Sequence, residues 1–156
     1  MEIVTLQEAD IEAIVSLFYE TIHFVNAKDY SQVELNAWAP KTEKVSKIKE
    51  WTASLTENIS FVANMNDTVV GFCDMTQAGY LDRLYVHKDF QGQGIATALV
   101  ERLEGEARTL NLTSITTYAS ITAQPFFKAK GFTMVHAQTV ERQGVNLTNY
   151  KMIKHI

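Results

Sequence analysis

One cysteine, two prolines and no apolar run longer than a few residues set the first limits on this chain of 156 residues. A lone thiol, Cys73, excludes an internal disulfide framework and any multi-cysteine metal centre. The four histidines show no metal-ligand spacing, so no metal is expected. No apolar run could cross a bilayer, and no membrane partner is expected. Basic charge is also short. Fourteen Lys and Arg against eighteen Asp and Glu give a net −4, which argues against a nucleic-acid-binding surface. There is no internal repeat, low-complexity tract or linker. Met1-Glu2-Ile3-Val4 offers neither a basic region nor an apolar one of the kind that opens a secretory signal, so a cytoplasmic protein is expected.

With 46% apolar and 21% charged residues, the length suits one globular domain spanning 1–156. Ile3-Val4 reads as a first strand. Thr5-Leu6-Gln7-Glu8 has the form of a capping box, and Ile11, Ile14, Val15, Phe18, Ile22 and Val25 make the stripe of a helix ending near Phe24. Ser31-Gln32-Val33-Glu34 opens a short second helix that stops before Pro40. A third starts near Glu43, with Val45, Ile48, Thr52 and Leu55 on its apolar side and Lys44, Lys47 and Glu50 opposite. Residues 59–65, 68–77 and 80–86 read as an antiparallel meander. Its first turn is Asn66-Asp67, and Val69, Gly71, Cys73 and Met75 share one face of the second strand. A long helix, a strand at 113–119, a short helix closed by Gly131 and two last strands complete the order β-α-α-α-β-β-β-α-β-α-β-β. This is an α/β chain with a mixed sheet and helices on both faces.

The organising stretch is Leu81 to Leu110. A strand feeds Gln91-Gly92-Gln93-Gly94-Ile95-Ala96, then Ile95, Leu99, Leu103, Ala107 and Leu110 recur at helical spacing. A helix start presents unpaired N–H groups and a positive dipole end, which suits phosphate. A Walker A loop would need Lys and Ser/Thr after its last glycine, where Ile95 and Ala96 stand. A Rossmann turn would need Gly or Ala where Thr97 stands. On spacing alone, a plain strand-to-helix turn competes evenly with a phosphate site.

The run Leu84-Tyr85-Val86-His87-Lys88-Asp89-Phe90-Gln91-Gly92-Gln93-Gly94-Ile95-Ala96 resembles the acyl-CoA motif of the GNAT superfamily of N-acetyltransferases, Gln/Arg-x-x-Gly-x-Gly/Ala. Ala123-Gln124-Pro125-Phe126-Phe127-Lys128-Ala129-Lys130-Gly131-Phe132 resembles that superfamily's next motif, in the same order and at a similar separation. The segments 118–127 and 140–152 resemble a bacterial subgroup of uncharacterised acetyltransferases that also carries Phe-Phe. The resemblance implies a GNAT-like, mostly antiparallel sheet whose strands splay at the acyl-CoA site. It implies acetyl-CoA as co-substrate, its diphosphate held by the backbone of Gln91, Gly92, Gln93, Gly94, Ile95 and Ala96. The pantetheine would run along Leu84, Tyr85 and Val86, with the Val86 amide polarising the acetyl carbonyl. Ser120 stands where many members carry Asn, and Phe127 where many carry a proton-donating Tyr.

Amine acetylation needs a neutral amine, a polarised thioester and a proton for the leaving thiolate. A period of two places Tyr80 and Asp82 on the face of Leu84 and Val86, toward the reaction centre. Resemblance puts the family's variable bases at these positions. Asp82 is read as general base through water, or alternatively as a carboxylate paired with Arg83. Since Phe127 has no proton to give, Tyr118, Tyr85, Tyr80 and Tyr150 are the candidate donors. Cys73 is expected to be a core residue rather than a nucleophile. In this superfamily the first two helices and the last hairpin shape the acceptor site, which makes Tyr30, Trp38 and His136 substrate candidates; His23 could line the same pocket or be a satisfied surface histidine. The acceptor is a small-molecule or protein amine, and the protein a monomer or homodimer. The rivals are a non-catalytic acyl-CoA-binding or sensing module and, less favoured, a nucleotide-phosphate binder.

Overall fold

In the computed structural model, which describes residues Met1–Ile156, the short β-branched runs form seven strands and the apolar stripes form helices around them. Strand β1 is Glu2–Thr5, followed by helices α1 (Ile11–Phe24), α2 (Gln32–Trp38) and α3 (Lys44–Glu57). The meander is β2 (Ile59–Met65), β3 (Thr68–Met75) and β4 (Tyr80–Val86). After it come α4 (Ile95–Thr109), β5 (Ser114–Ser120), α5 (Gln124–Ala129), β6 (Thr133–Arg142) and β7 (Val145–His155). This is the element order expected from the sequence. The strands make one sheet in the order β1-β2-β3-β4-β5-β7-β6, antiparallel throughout except for β4 beside β5.

Each face of the sheet is covered by its own apolar layer. Ile95, Leu99, Leu103 and Ala107 of α4 pack on Cys73, Met75, Leu81 and Ile115. Close approach there needs Gly71, where a Cβ would meet the Ile95 side chain at 3.0 Å. On the other face Ile14, Phe18 and Ile22 of α1, with Trp51 and Leu55 of α3, cover Val62 and Phe72. Each such fully buried side chain contributes roughly 1.5–3 kcal/mol over leaving it in water.

Local signals were followed in part. Ser31 and Glu34 make both bonds of a capping box, at 3.2 and 2.8 Å. The first helix starts later than Thr5-Glu8 suggested: Thr5 stays in β1, and the Gln7 N–H donates to the Asp10 carboxylate at 2.8 Å ahead of a short 3-10 turn. Asn66 and Asp67 both hold positive φ, 51° and 63°, so the hairpin turn forms without glycine because these side chains tolerate that region. Helix α3 turns differently from expectation. Val45 is 82% exposed, Trp51 and Leu55 are buried, and Lys47 faces inward over aromatic rings. Tryptophan at 51 outweighs valine at 45 in apolar area, and it sets the buried face.

Two bulges shift the strand faces. Val70 is an extra residue between the Ala63–Gly71 and Asn64–Val69 pairs, so Val69 and Val70 exchange the faces that strict alternation gave them. In β4, Asp74 pairs with Arg83 but Met75 pairs with Leu81, leaving Asp82 as the extra residue. A bulge bends and twists its strand. Next to this one β4 and β5 are paired only at Tyr80–Thr116 and Leu81–Thr117, after which β4 continues with β3 and β5 with β7. The sheet opens there into a cleft.

Candidate active site

The cleft begins with peptide groups. The His87 N–H donates to the Val70 carbonyl at 2.8 Å, which fixes the antiparallel alternation between β3 and β4. By that alternation Leu84 and Val86 direct their N–H and C=O groups to the opposite edge, where β5 has left. The Val86 carbonyl is already satisfied, by Gln91 Nε2 at 2.6 Å and Thr21 Oγ1 at 3.1 Å. Its N–H remains the free group facing the cleft.

Beyond β4 the chain makes the glycine turn. No N–H from Gln91 through Thr97 donates to a protein acceptor; the first helical bond of α4 is Ala98 N–H to the Gly94 carbonyl, at 3.1 Å. Gly92 and Gly94 adopt φ of +72° and +80°, which side-chain-bearing residues rarely hold, and a Cβ at either would meet nothing of the protein within 4 Å. Gly94 is the residue from which α4 starts. Consecutive bare donors at a helix N-terminus, in a loop with no side chain in the way, form a cradle for phosphate oxygens. All of them but Gln93 line a cavity of about 510 Å³ together with Leu84, Tyr85, Val86, Ser120, Phe126 and Lys130, and no carboxylate stands on its wall.

A second cavity, of about 280 Å³, lies beyond the splayed strands, and Tyr85 and Ser120 line both. Tyr80, Asp82 and Tyr118 stand on its wall with Tyr30, Trp38, Trp51 and Lys47. The period of two had set Tyr80 and Asp82 on the face of Leu84 and Val86. The bulge at Asp82 breaks that period: Leu84 and Val86 pack toward α4, while Tyr80, Asp82, Arg83 and Tyr85 face the second cavity. Tyr80 and Tyr118 meet edge to face with ring centres 5.9 Å apart. Burial, reinforced by the Asp82 charge, pushes the Tyr80 hydroxyl up to about 12, so it keeps its proton at neutral pH.

Asp82 is held by its neighbour, its Oδ2 accepting from Arg83 Nη2 at 3.3 Å. Arg83 in turn reaches Asp74 Oδ2 at 3.2 Å and Ser54 Oγ at 2.8 Å, and lies over the Trp51 ring at 4.7 Å. Asp74 is fully buried and accepts from Asn58 Nδ2 at 2.9 Å. Burial pushes its carboxyl up to about 6, while Arg83 and Asn58 pull it down. The line Asp82–Arg83–Asp74 fixes the floor of the second cavity. The sequence points to Asp82 and its neighbour Arg83 but not to Asp74, whose partners lie just past the end of α3 and on β4.

Other sequence candidates stand elsewhere. Phe127 is buried against Phe126 and Phe132 and does not line either cavity; its neighbour Phe126 does. The helical turn of α5 points one of the two rings to the core, and the core took Phe127. Ser120 Oγ accepts the Ala123 N–H at 3.0 Å, closing its own turn at the cleft. Tyr30 is buried, donating to the Thr148 carbonyl at 3.1 Å and accepting the Ile121 N–H at 2.8 Å, with Trp38 edge to face beside it. His136 is exposed on β6 beside a bulge and lines neither cavity; only the far end of that strand, at Val140 and Arg142, reaches the second one. His23 Nε2 lies 2.7 Å from the Ala39 carbonyl, away from both. Tyr150 packs on the α4 side of the core. Tyr85 is edge-on to Phe18 and stacked on Phe72, and burial raises its pKa further still. Cys73 is buried under α4 and burial raises its thiol pKa far above neutrality, so no thiolate forms there. No group of three or more His, Cys, Asp or Glu is arranged to hold a metal ion, and no helix is long and apolar enough to cross a membrane.

Known proteins share this architecture along its whole length. The family model described as an acetyltransferase (GNAT) domain matches residues 26–154. The uncharacterised N-acetyltransferase YafP of Escherichia coli (strain K12) is 30% identical, over 97% of this chain and 94% of that protein. A GCN5-related N-acetyltransferase from Rhodopseudomonas palustris superposes with a TM-score of 0.93 at 27% identity, covering 99% of this chain and 95% of the other. The PaiA N-acetyltransferase of Thermoplasma acidophilum, solved in complex with coenzyme A, shares the fold at a TM-score of 0.74 and 19% identity, over 99% and 98% of the two chains. With its glycine cradle, its splayed central strands and a family match over residues 26–154, this chain belongs to the GNAT acetyltransferase family.

Proposed function

We propose that the chain, acting as one domain, is an acetyl-CoA-dependent N-acetyltransferase that brings acetyl-CoA and a primary amine together for direct transfer. The observation that carries this is the pair of cavities meeting at Tyr85 and Ser120, one offering bare amides and the other a carboxylate and tyrosines. The residues present fit coenzyme A: unpaired N–H groups from Gln91 to Thr97 suit its diphosphate, and the free edge of β4 suits the amide-bearing pantetheine. When bound, acetyl-CoA supplies an acyl group activated as a thioester. Val86 then presents a pre-aimed N–H where oxyanion character develops, a type of contact that contributes about 2.7–4 kcal/mol. Asp82 takes a proton from the ammonium form of the acceptor through water, and Arg83 holds that carboxylate in place. Tyr80, which keeps its proton at neutral pH, and Tyr118 edge-on beside it are the hydroxyls on the second cavity from which a departing thiolate is protonated. In this way a nitrogen–carbon bond forms and the carbon–sulfur bond breaks; of the two protons the ammonium loses, one leaves through Asp82 to solvent and the other replaces the proton that the tyrosine gave to sulfur.

The burial of Phe127 and the pairing of Asp82 favour one rival, an acyl-CoA-binding module without turnover. Thiol release from acetyl-CoA across an amine panel separates the two. Coenzyme A raises the melting temperature in either case and ATP does not, with about 2.7 kcal/mol of stabilisation at a hundredfold excess over Kd. Asp82→Asn is expected to lower kcat by about 10²-fold while coenzyme A still protects the variant as it does the parent. Unchanged turnover would remove Asp82 from the mechanism.

A further inference from the structure

We infer that the second cavity takes an amine that also carries a carboxylate, with Lys47 and Arg142 holding the anion and the amine turned toward Asp82. This rests on the transferase reading above and names its acceptor class.

The charge on the cavity wall is opposite to that of the chain. Against a net −4 overall, the wall carries Lys47, Arg83 and Arg142 and one carboxylate, Asp82. Arg83 is consumed by Asp74, Asp82 and Ser54. Lys47 and Arg142 make no ion pair within 4.0 Å; their partners are aromatic rings and a carbonyl. The Lys47 ammonium is held 5.4 Å from the Phe18 ring centre and 5.7 Å from that of Trp51. Desolvation there lowers its pKa, so its charge is costly to keep without a counter-ion. Glu43 and Glu50 act on it through their fields, but both are exposed and neither lines the cavity, and Glu43 accepts Gln143 Nε2 at 3.0 Å. Arg142 spends one N–H on the Glu141 carbonyl at 3.1 Å, which leaves a guanidinium with donors to give.

Aromatic side chains (Tyr30, Trp38 and Trp51) line the same wall. So do Asp82 and Asn149, whose buried Oδ1 has no hydrogen-bond partner and suits an ammonium proton. A carboxylate meeting Lys47 and Arg142 makes charge-assisted bonds, and a polycation meets repulsion at the same place. The layout selects a small dipolar amine.

The test is thiol release from acetyl-CoA with matched acceptors: tyramine against tyrosine, 1,5-diaminopentane against lysine, and ethanolamine against β-alanine and phosphoethanolamine. The carboxylated members are expected to show kcat/KM at least about tenfold higher. Lys47→Met and Arg142→Gln are each expected to move that ratio toward one, through KM, with coenzyme A protection against heating kept. Arg142→Gln lies on an exposed strand end and tests the idea even where Lys47→Met weakens packing. Uncharged or polycationic amines served equally well, or a ratio untouched by both variants, would overturn the inference and leave the transferase standing. Phosphoethanolamine preferred over β-alanine would overturn the carboxylate in favour of phosphate. No thiol release with any amine, in protein that coenzyme A still stabilises, would remove the transferase and this acceptor with it.

Discussion

Gly94→Val is expected to abolish stabilisation by coenzyme A while the protein still folds, the apparent affinity falling by more than about a hundredfold. Two effects add at this residue. Its φ of +80° is costly for a β-branched side chain, by about 1–2 kcal/mol. More damaging for binding, the new side chain meets nothing of the protein within 4 Å and projects from the start of α4 among the amides that would face a diphosphate. A control separates strain from obstruction. Gly144 has φ of +75° and equally open surroundings, but it lies at the tip of the β6–β7 hairpin. Gly144→Val should carry a similar loss of stability and leave coenzyme A binding intact. Melting curves of both variants, with and without coenzyme A, check the pair. Equal binding loss in the two would show that backbone strain, not the cradle, is being measured.

Arg83→Met is expected to be among the most destabilising single changes, by about 3–5 kcal/mol at pH 8, because it strands a buried carboxylate. Asp74 has no exposure, and beyond Arg83 its only side-chain partner is Asn58. The loss should depend on pH with a definite sign. The Asp74 carboxyl is already held above its unfolded value, at about 6, chiefly by burial. A group with a raised folded pKa contributes most below its unfolded pKa, and that contribution is lost as pH rises through the folded one. Removing Arg83 removes a charge that lowers this pKa, so the variant's deficit is largest at pH 8 and shrinks toward pH 5 as Asp74 takes a proton. Asp74→Asn in the same chain removes the stranded charge and should restore much of the stability at pH 8. Turnover should fall as well, since Arg83 also holds Asp82. Denaturant titrations between pH 5 and 8 give the comparison, and a deficit independent of pH would mean that lost packing on Trp51 dominates.

Where a feature was set by local chemistry, it could be read along the chain. The Ser31–Glu34 box, the Asn66-Asp67 turn, the stripe of α4 and the glycine turn before it each depend on residues a few positions apart. So did the element order, and with it the mixed sheet. What escaped was fixed by non-local pairing. The bulge at Asp82 exists because β3 and β4 meet out of step at Met75, and no residue type announces it. That single slip turned Tyr80 and Asp82 away from the face of Leu84 and Val86 and into the second cavity. Asp74 looked like one more strand residue until Asn58 and Arg83 closed around it. Helical spacing from Val45 puts Lys47 on the solvated side, whereas Trp51, four residues after Lys47, buries itself and turns the lysine inward. The aromatic pair Phe126-Phe127 was visible, but which ring reaches the cleft depends on how α5 sits on β5 and β6.

The most direct measurement is a titration of 15N-labelled protein with coenzyme A, followed by two-dimensional amide spectra. Donors already paired inside the protein have little reason to move, whereas those from Gln91 to Thr97 and at Val86 have no internal partner. The expected result is a set of large, saturable shifts confined to these amides and the neighbouring walls of the first cavity. Saturable shifts that map elsewhere while the amides of Gln91 to Thr97 stay fixed would contradict it.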